Sequence, residues 1–295
     1  MKIKLIMILL CLAIQMNLIS QNSMKKNVVD IYWEDDKLEY VDKGSSKNYS
    51  WSTLTKYDNG KRIEMIAYGL NNSKIDRKNT YEYKDSLLIK EDIYFPNEDR
   101  PNQYTIYEYD LKGNNIRKTD RNKQDEIQYD YQYSYNGKNQ LIEQIAYNYL
   151  GDPTMKIDFK YDQKGNLIEE KRKDYFDDDS LVKYKFDEKG NEVDKQYFSP
   201  ISELRNHWKS EYNSEGLKIR SEFWVKGIKC INRTKFKYDS ESGTETRILV
   251  NPEDNSQKEQ VIQTLEDQYG NWIEKKILEN GKLKSVHRRQ IEYAI

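Results

Sequence analysis

The chain has 295 residues, 34% charged and 36% hydrophobic, with 49 Lys+Arg against 50 Asp+Glu and a formal net charge of −1. That composition excludes a multi-spanning membrane protein, and it speaks against a doubly wound or barrel enzyme whose buried strands read as apolar runs. Balanced charge offers no footprint for nucleic acid and no polybasic membrane patch, while 25 Tyr beside only 5 Pro argues against disorder.

Residues 1–20 have the parts of a signal peptide. Lys2 and Lys4 precede the apolar run 5–14, and Ser20 is a small residue before a cut at Gln21. The run is too short for a comfortable membrane span. Losing two lysines and no acid takes the net charge to −3. Cys11 follows the bulky Leu10, where a lipoprotein signal has a small residue. Cys230 is then the only cysteine of the mature chain, so no intramolecular disulfide forms. It reads as a small packing residue between two strands. Residues 21–295 read as a single domain.

That domain is a repeat. Tyr109-Asp-Leu-Lys-Gly113-Asn-Asn-Ile116 matches Tyr161-Asp-Gln-Lys-Gly165-Asn-Leu-Ile168 and Phe186-Asp-Glu-Lys-Gly190-Asn-Glu-Val193. Looser copies begin at Tyr57, Tyr83, Tyr135, Tyr212, Tyr238 and Glu266, with successive steps of 26, 26, 26, 26, 25, 26, 26 and 28 residues along the whole series. A degenerate copy at Trp33–Tyr40 precedes them, and Tyr293 closes the series.

Each unit reads as a β-hairpin. Asp opens the turn because its side chain bonds the following amides, and Gly supplies the left-handed residue such a loop needs. Gly60, Gly113, Gly165, Gly190, Gly216 and Gly270 are therefore structural turn residues. The flanks alternate with period two: Tyr107 and Tyr109, Tyr131, Tyr133 and Tyr135, Phe159 and Tyr161 share a parity. About ten hairpins give roughly twenty strands, more than one open sheet holds. The expected fold is all-β: tandem hairpins forming one coiled, elongated antiparallel sheet that coils or closes. Tyr and Ile ladders are expected on one face, with Lys and Glu paired on the other.

The Tyr-Asp-x-x-Gly-Asn-x-Ile signature resembles the YD repeat of RHS-type bacterial proteins over about residues 51–295. The resemblance implies β-hairpins joined into a shell-like sheet, in a family whose members encapsulate toxins or are called carbohydrate-binding. Only the repeat architecture carries over, because the Asp-Pro-x-Gly-x-x-Asp core signature is absent.

Chemistry-bearing constellations are sparse. His207 and His287 lack ligand spacing and read as solvated strand residues. Residues 34–36 and 177–179 are acidic runs without the spaced ligands of a calcium loop. No carboxylate pair stands out for glycoside hydrolysis. No cofactor, metal site or catalytic residue is assigned. Tryptophans are the candidate binding residues. Trp208 begins a strand four residues before Tyr212, while Trp224 and Trp272 fall on the opposite parity, pointing away from the tyrosine face. Outward rings suit sugar stacking or a protein partner; the competing reading is packing. Residues 199–206 and 251–260 depart from the period, as insertions at a functional rim do. The expected function is an exported, non-enzymatic binding module for a glycan or protein partner at the cell surface or in the periplasm. The alternatives are an assembly protein acting through sheet edges, a toxin or immunity accessory of the RHS type, and, last, a glycoside hydrolase-like enzyme.

Overall fold

The computed structural model describes residues 25–34, 51–68, 75–176 and 179–293. The proposed signal peptide, the acidic residues Asp35 and Asp36, and Asp177 and Asp178 lie outside them. Twenty strands alternate with turns: β1 (Lys25–Glu34), β2 (Trp51–Asp58), β3 (Lys61–Tyr68), β4 (Ile75–Lys84), β5 (Leu87–Tyr94), β6 (Gln103–Tyr109), β7 (Asn115–Asn122), β8 (Ile127–Tyr135), β9 (Leu141–Asn148), β10 (Pro153–Tyr161), β11 (Leu167–Asp174), β12 (Ser180–Phe186), β13 (Glu192–Phe198), β14 (Leu204–Tyr212), β15 (Lys218–Val225), β16 (Lys229–Asp239), β17 (Thr244–Val250), β18 (Gln257–Glu266), β19 (Trp272–Glu279) and β20 (Lys282–Tyr293).

Every strand pairs antiparallel with its neighbours in sequence, and β1 also pairs with β20 from Lys25↔Tyr293 to Glu34↔Ser285. The sheet is therefore a closed twenty-stranded barrel. This corrects the coiled, elongated sheet expected from the repeat. A ring has no edge strands, so closure also removes the surface on which edge-to-edge assembly depends. The Tyr-Asp-x-x-Gly turns all lie on one rim, which also holds the Lys25↔Tyr293 pair. The connections between repeats lie on the other, called here the loop rim.

Local chemistry explains the turns. Asp110 Oδ1 accepts the amides of Lys112 and Asn114 at 2.9 and 2.8 Å, and Asn114 Nδ2 donates to Asp110 Oδ2 at 2.9 Å. Asp162/Asn166 and Asp187/Asn191 repeat the motif. The Asn side chains, then the backbone amides, hold these carboxyls below the ordinary aspartate value. Gly113, Gly165 and Gly190 take φ of 82°, 95° and 87°, and Asn139 takes 60° at the equivalent place.

The recurring Ile has a role that its spacing conceals. In eight hairpins the register skips one residue just after the turn: Tyr109 pairs with Asn115 but Glu108 pairs with Arg117, leaving Ile116 as a bulge. The same slip falls on Ile63, Ile89, Ile142, Ile168, Val193, Ile219 and Ile273. The expected isoleucine ladder is thus a ring of β-bulges, which bend and twist each hairpin toward closure. Ile63, Ile116, Ile142 and Ile219 remain 37–39% exposed.

The bulge also gives the tyrosines a partner. Tyr83 donates its hydroxyl to Arg62 O, Tyr109 to Leu88 O, Tyr135 to Asn115 O, Tyr161 to Leu141 O and Tyr212 to Glu192 O, at 2.7–3.0 Å. Each acceptor sits across from the aromatic residue one repeat earlier, a tyrosine in four cases and Phe186 in the fifth, so these bonds join successive hairpins.

Charge is not confined to one face, contrary to expectation. Glu91 lies opposite Tyr81, Lys118 between Tyr107 and Tyr131, Glu170 opposite Phe159 and Lys195 between Tyr184 and Trp208. Long side chains interleave with rings on the tyrosine face, with Lys118 4.8 Å from the Tyr131 ring and Lys195 5.2 Å from that of Tyr184. The other face carries cross-strand ion pairs such as Lys160–Glu169 and Arg288–Glu274, each at 2.7 Å. Few apolar side chains are buried; among the described residues only Val286 is large and fully enclosed. Neither face presents the unbroken apolar band that a lipid-facing barrel needs. Among the described residues no helix is long and apolar enough to cross a membrane.

Candidate functional site

The loop rim differs in chemistry from the opposite rim. Between β9 and β10, Asn148 Oδ1 accepts the amides of Leu150 and Asp152, and Gly151 adopts φ +83°. That tight turn leaves Tyr149 and Leu150 at its tip, 69% and 67% exposed. Between β11 and β12, Asp174 Oδ1 accepts Phe176 N at 3.1 Å, while Asp179 Oδ1 accepts Asp174 N at 3.0 Å. Tyr175 N donates to Thr154 O, and Phe176 projects with 76% of its surface exposed. Ile201 and Ile228 crown the next two turns at 75% and 83%.

Beneath the first two tips lies a hollow of about 630 Å³, in the range of ligand pockets. Its walls include the rings of Tyr129, Tyr131, Tyr149 and Phe176, with Asn148, Thr154, Arg172 and Asp174 as polar lining. Arg172 Nη2 bonds Asp174 Oδ2 at 2.6 Å, and the carboxylate is only 13% exposed. The Tyr129 and Tyr131 centroids are 6.4 Å apart. Fixed rings beside a braced ion pair can stack on a flat apolar face and hydrogen-bond the hydroxyls at its edge. A second hollow of 710 Å³ opens along the same rim, lined by Glu203, Leu204, Arg205, Asn206, Val225 and Lys226.

The three tryptophans do not come together. Trp208, on the tyrosine face, packs on Phe223 at 5.1 Å. Trp224 lies on the opposite face, across from His207, where its Nε1 donates to Glu222 Oε2 at 3.0 Å. Trp272 departs from the parity expectation: beside the Ile273 bulge, its ring meets Lys275, His287 and Arg289 of the tyrosine face, at 4.8, 4.6 and 3.8 Å. Arg289 covers it.

Closure builds a second cluster that the sequence conceals. Tyr32 stacks on Trp51 at 5.5 Å, and His287 sits edge-on to Trp51 and Trp272 at 5.1 and 4.6 Å. Arg289 grips Asp30 through Nε at 2.7 Å and Nη2 at 3.2 Å. Burial works against the Asp30 charge, but contacts with His287 and the Arg289 fork outweigh it and hold the carboxyl below its ordinary value. His207 is 9% exposed, its Nε2 2.8 Å from Asp194. Neither histidine is the solvated strand residue expected, because each meets a cross-strand carboxylate or aromatic partner. Cys230 lies within β16 opposite Trp224, its thiol pushed up by burial.

The rim pocket escaped a reading focused on tryptophan. Its signal was present in Tyr149-Leu150 and Tyr175-Phe176, apolar pairs where turn chemistry favours polar residues.

No protein-family model matches the chain, and no curated protein matches its sequence. Among solved structures, a porin-like protein from Bacteroides uniformis is similar at 15% identity and a TM-score of 0.38, over 92% of this chain and 98% of that one. The TcdB2-TccC3-Cdc42 structure is similar at 12% identity and a TM-score of 0.33, over 80% of this chain. TcdB2-TccC3 is similar at 11% identity and a TM-score of 0.29, over 77%. The chain spans only 16% and 18% of the length of those two chains.

Proposed function

We propose that the protein is an exported, non-enzymatic module that binds a glycan at the loop rim. The rim pocket carries this reading: four aromatic rings surround a hydrogen-bonding Arg172–Asp174 pair in a space sized for a few sugar units. Asp174 is the one carboxylate among the described residues that line the pocket, and it is engaged by arginine. A carboxylate braced by arginine is suited to accepting hydrogen bonds from sugar hydroxyls. The signal-like residues 1–20 support export.

A glycan array probed with the full chain and with Tyr129→Ala/Phe176→Ala tests the reading. Wild type is expected to retain a defined set of glycans, and the double variant to lose them by about tenfold or more, as removal of two stacking rings implies. Equal retention by both proteins, with unchanged circular dichroism, would exclude this pocket as the site.

A further inference from the structure

Four successive turns of the loop rim end in exposed apolar side chains: Tyr149 and Leu150, then Phe176, then Ile201, then Ile228. Successive tips stand two strands apart, about 10 Å at the usual strand spacing, so the row runs for about 30 Å. The 630 Å³ hollow lies at its start and the 710 Å³ hollow at its end. On the opposite rim the corresponding turns present Gly137-Lys138, Gln163-Lys164, Glu188-Lys189 and Ser214-Glu215. The apolar row therefore belongs to one rim and cannot follow from the repeat.

The charge along this row restricts what can lie on it. Among the described residues of these turns and of the two hollows' linings, Asp152, Asp174, Asp179 and Glu203 stand against Arg172, Arg205 and Lys226, so the row carries little net charge. Near-balanced charge offers no net attraction to sulfated or uronic polymers, nucleic acid or anionic lipid. Carboxylates and rings together suit hydroxyl-bearing, uncharged chains.

Resting on the glycan-binding reading above, we propose that these four turns form one continuous surface for an uncharged linear polysaccharide, held at both hollows at once. A chain engaging both hollows makes its second contact at a high effective concentration. Its affinity therefore exceeds that of a short oligomer filling one hollow.

Titration calorimetry on the full chain tests this, using neutral gluco-, manno-, xylo- and N-acetylglucosamine oligosaccharides from disaccharide to octasaccharide, with heparin as the anionic probe. The expected result is a rise in affinity of about a hundredfold once the oligomer spans the row, with no heparin binding. Ile201→Ser/Ile228→Ser, confined to exposed tips, is expected to remove that rise and leave disaccharide affinity unchanged. Disaccharides that bind as tightly as octasaccharides, or a double variant that behaves as wild type, would overturn the continuous surface and leave the single-pocket reading standing. Failure of every neutral oligomer to bind, or preference for heparin, would overturn both.

Discussion

At the scale of single residues, tyrosine is selected for its hydroxyl as much as for its ring. The ring covers the tyrosine face, and the hydroxyl reaches a carbonyl of the preceding hairpin. Phe186 occupies the same place without a hydroxyl, and the carbonyl of Leu167 is its counterpart acceptor by repeat position. Phe186→Tyr is therefore expected to stabilise the barrel by about 1 kcal/mol, and Tyr135→Phe to destabilise it by a similar amount, in urea denaturation followed by circular dichroism. Opposite signs for the two substitutions are the diagnostic; a loss in both would mean that the ring's fit decides, not its hydroxyl.

At the scale of the hairpin, the bulge reconciles two periodicities. The residues before each turn alternate cleanly, and those after it alternate with a shift of one. Deleting Ile168 would leave Glu169 opposite Lys160 and Glu170 opposite Phe159 and Val182 in unbroken pairing, but would remove the bend and added twist that the bulge supplies. The deletion is expected to lower the melting temperature by flattening one hairpin of the ring, whereas Ile168→Val should leave it near wild type, as measured by thermal melts. The hairpins, turn glycines and strand number were legible in the sequence because each rests on neighbouring residues. Ile168 and its equivalents were not, since a conserved apolar rung and a bulge present the same letter at the same spacing. The Trp272 ring was misplaced for that reason: parity counted through Ile273 fails at a bulge.

At the scale of the whole molecule, closure depends on pairing between residues some 260 positions apart. Nothing local in residues 25–34 announces the partner strand, so neither the ring nor the seam cluster of Tyr32, Trp51, His287 and Arg289 was legible. The seam has an electrostatic signature. Asp30 titrates lower in the barrel than in the unfolded chain, so its contribution is full above the ordinary aspartate range. That contribution is lost as pH falls through the lowered native value. Asp30→Asn is expected to be less stable than wild type at neutral pH and to lose less stability on acidification, in urea midpoints collected across the acid range. Parallel pH profiles for the two proteins would remove Asp30 from the seam's energetics.

One repeat supplies two strands, one running up and one down, and this fixes which circumferences such a ring can have. Removing or duplicating a whole unit changes the perimeter by two strands and leaves every contact antiparallel, including the one at the seam. Losing half a unit would bring two strands of the same direction together where the ring meets itself. The permitted sizes therefore form an even-numbered ladder. The width of the enclosed space can change by recombination between near-identical hairpins, without a new turn, bulge or seam.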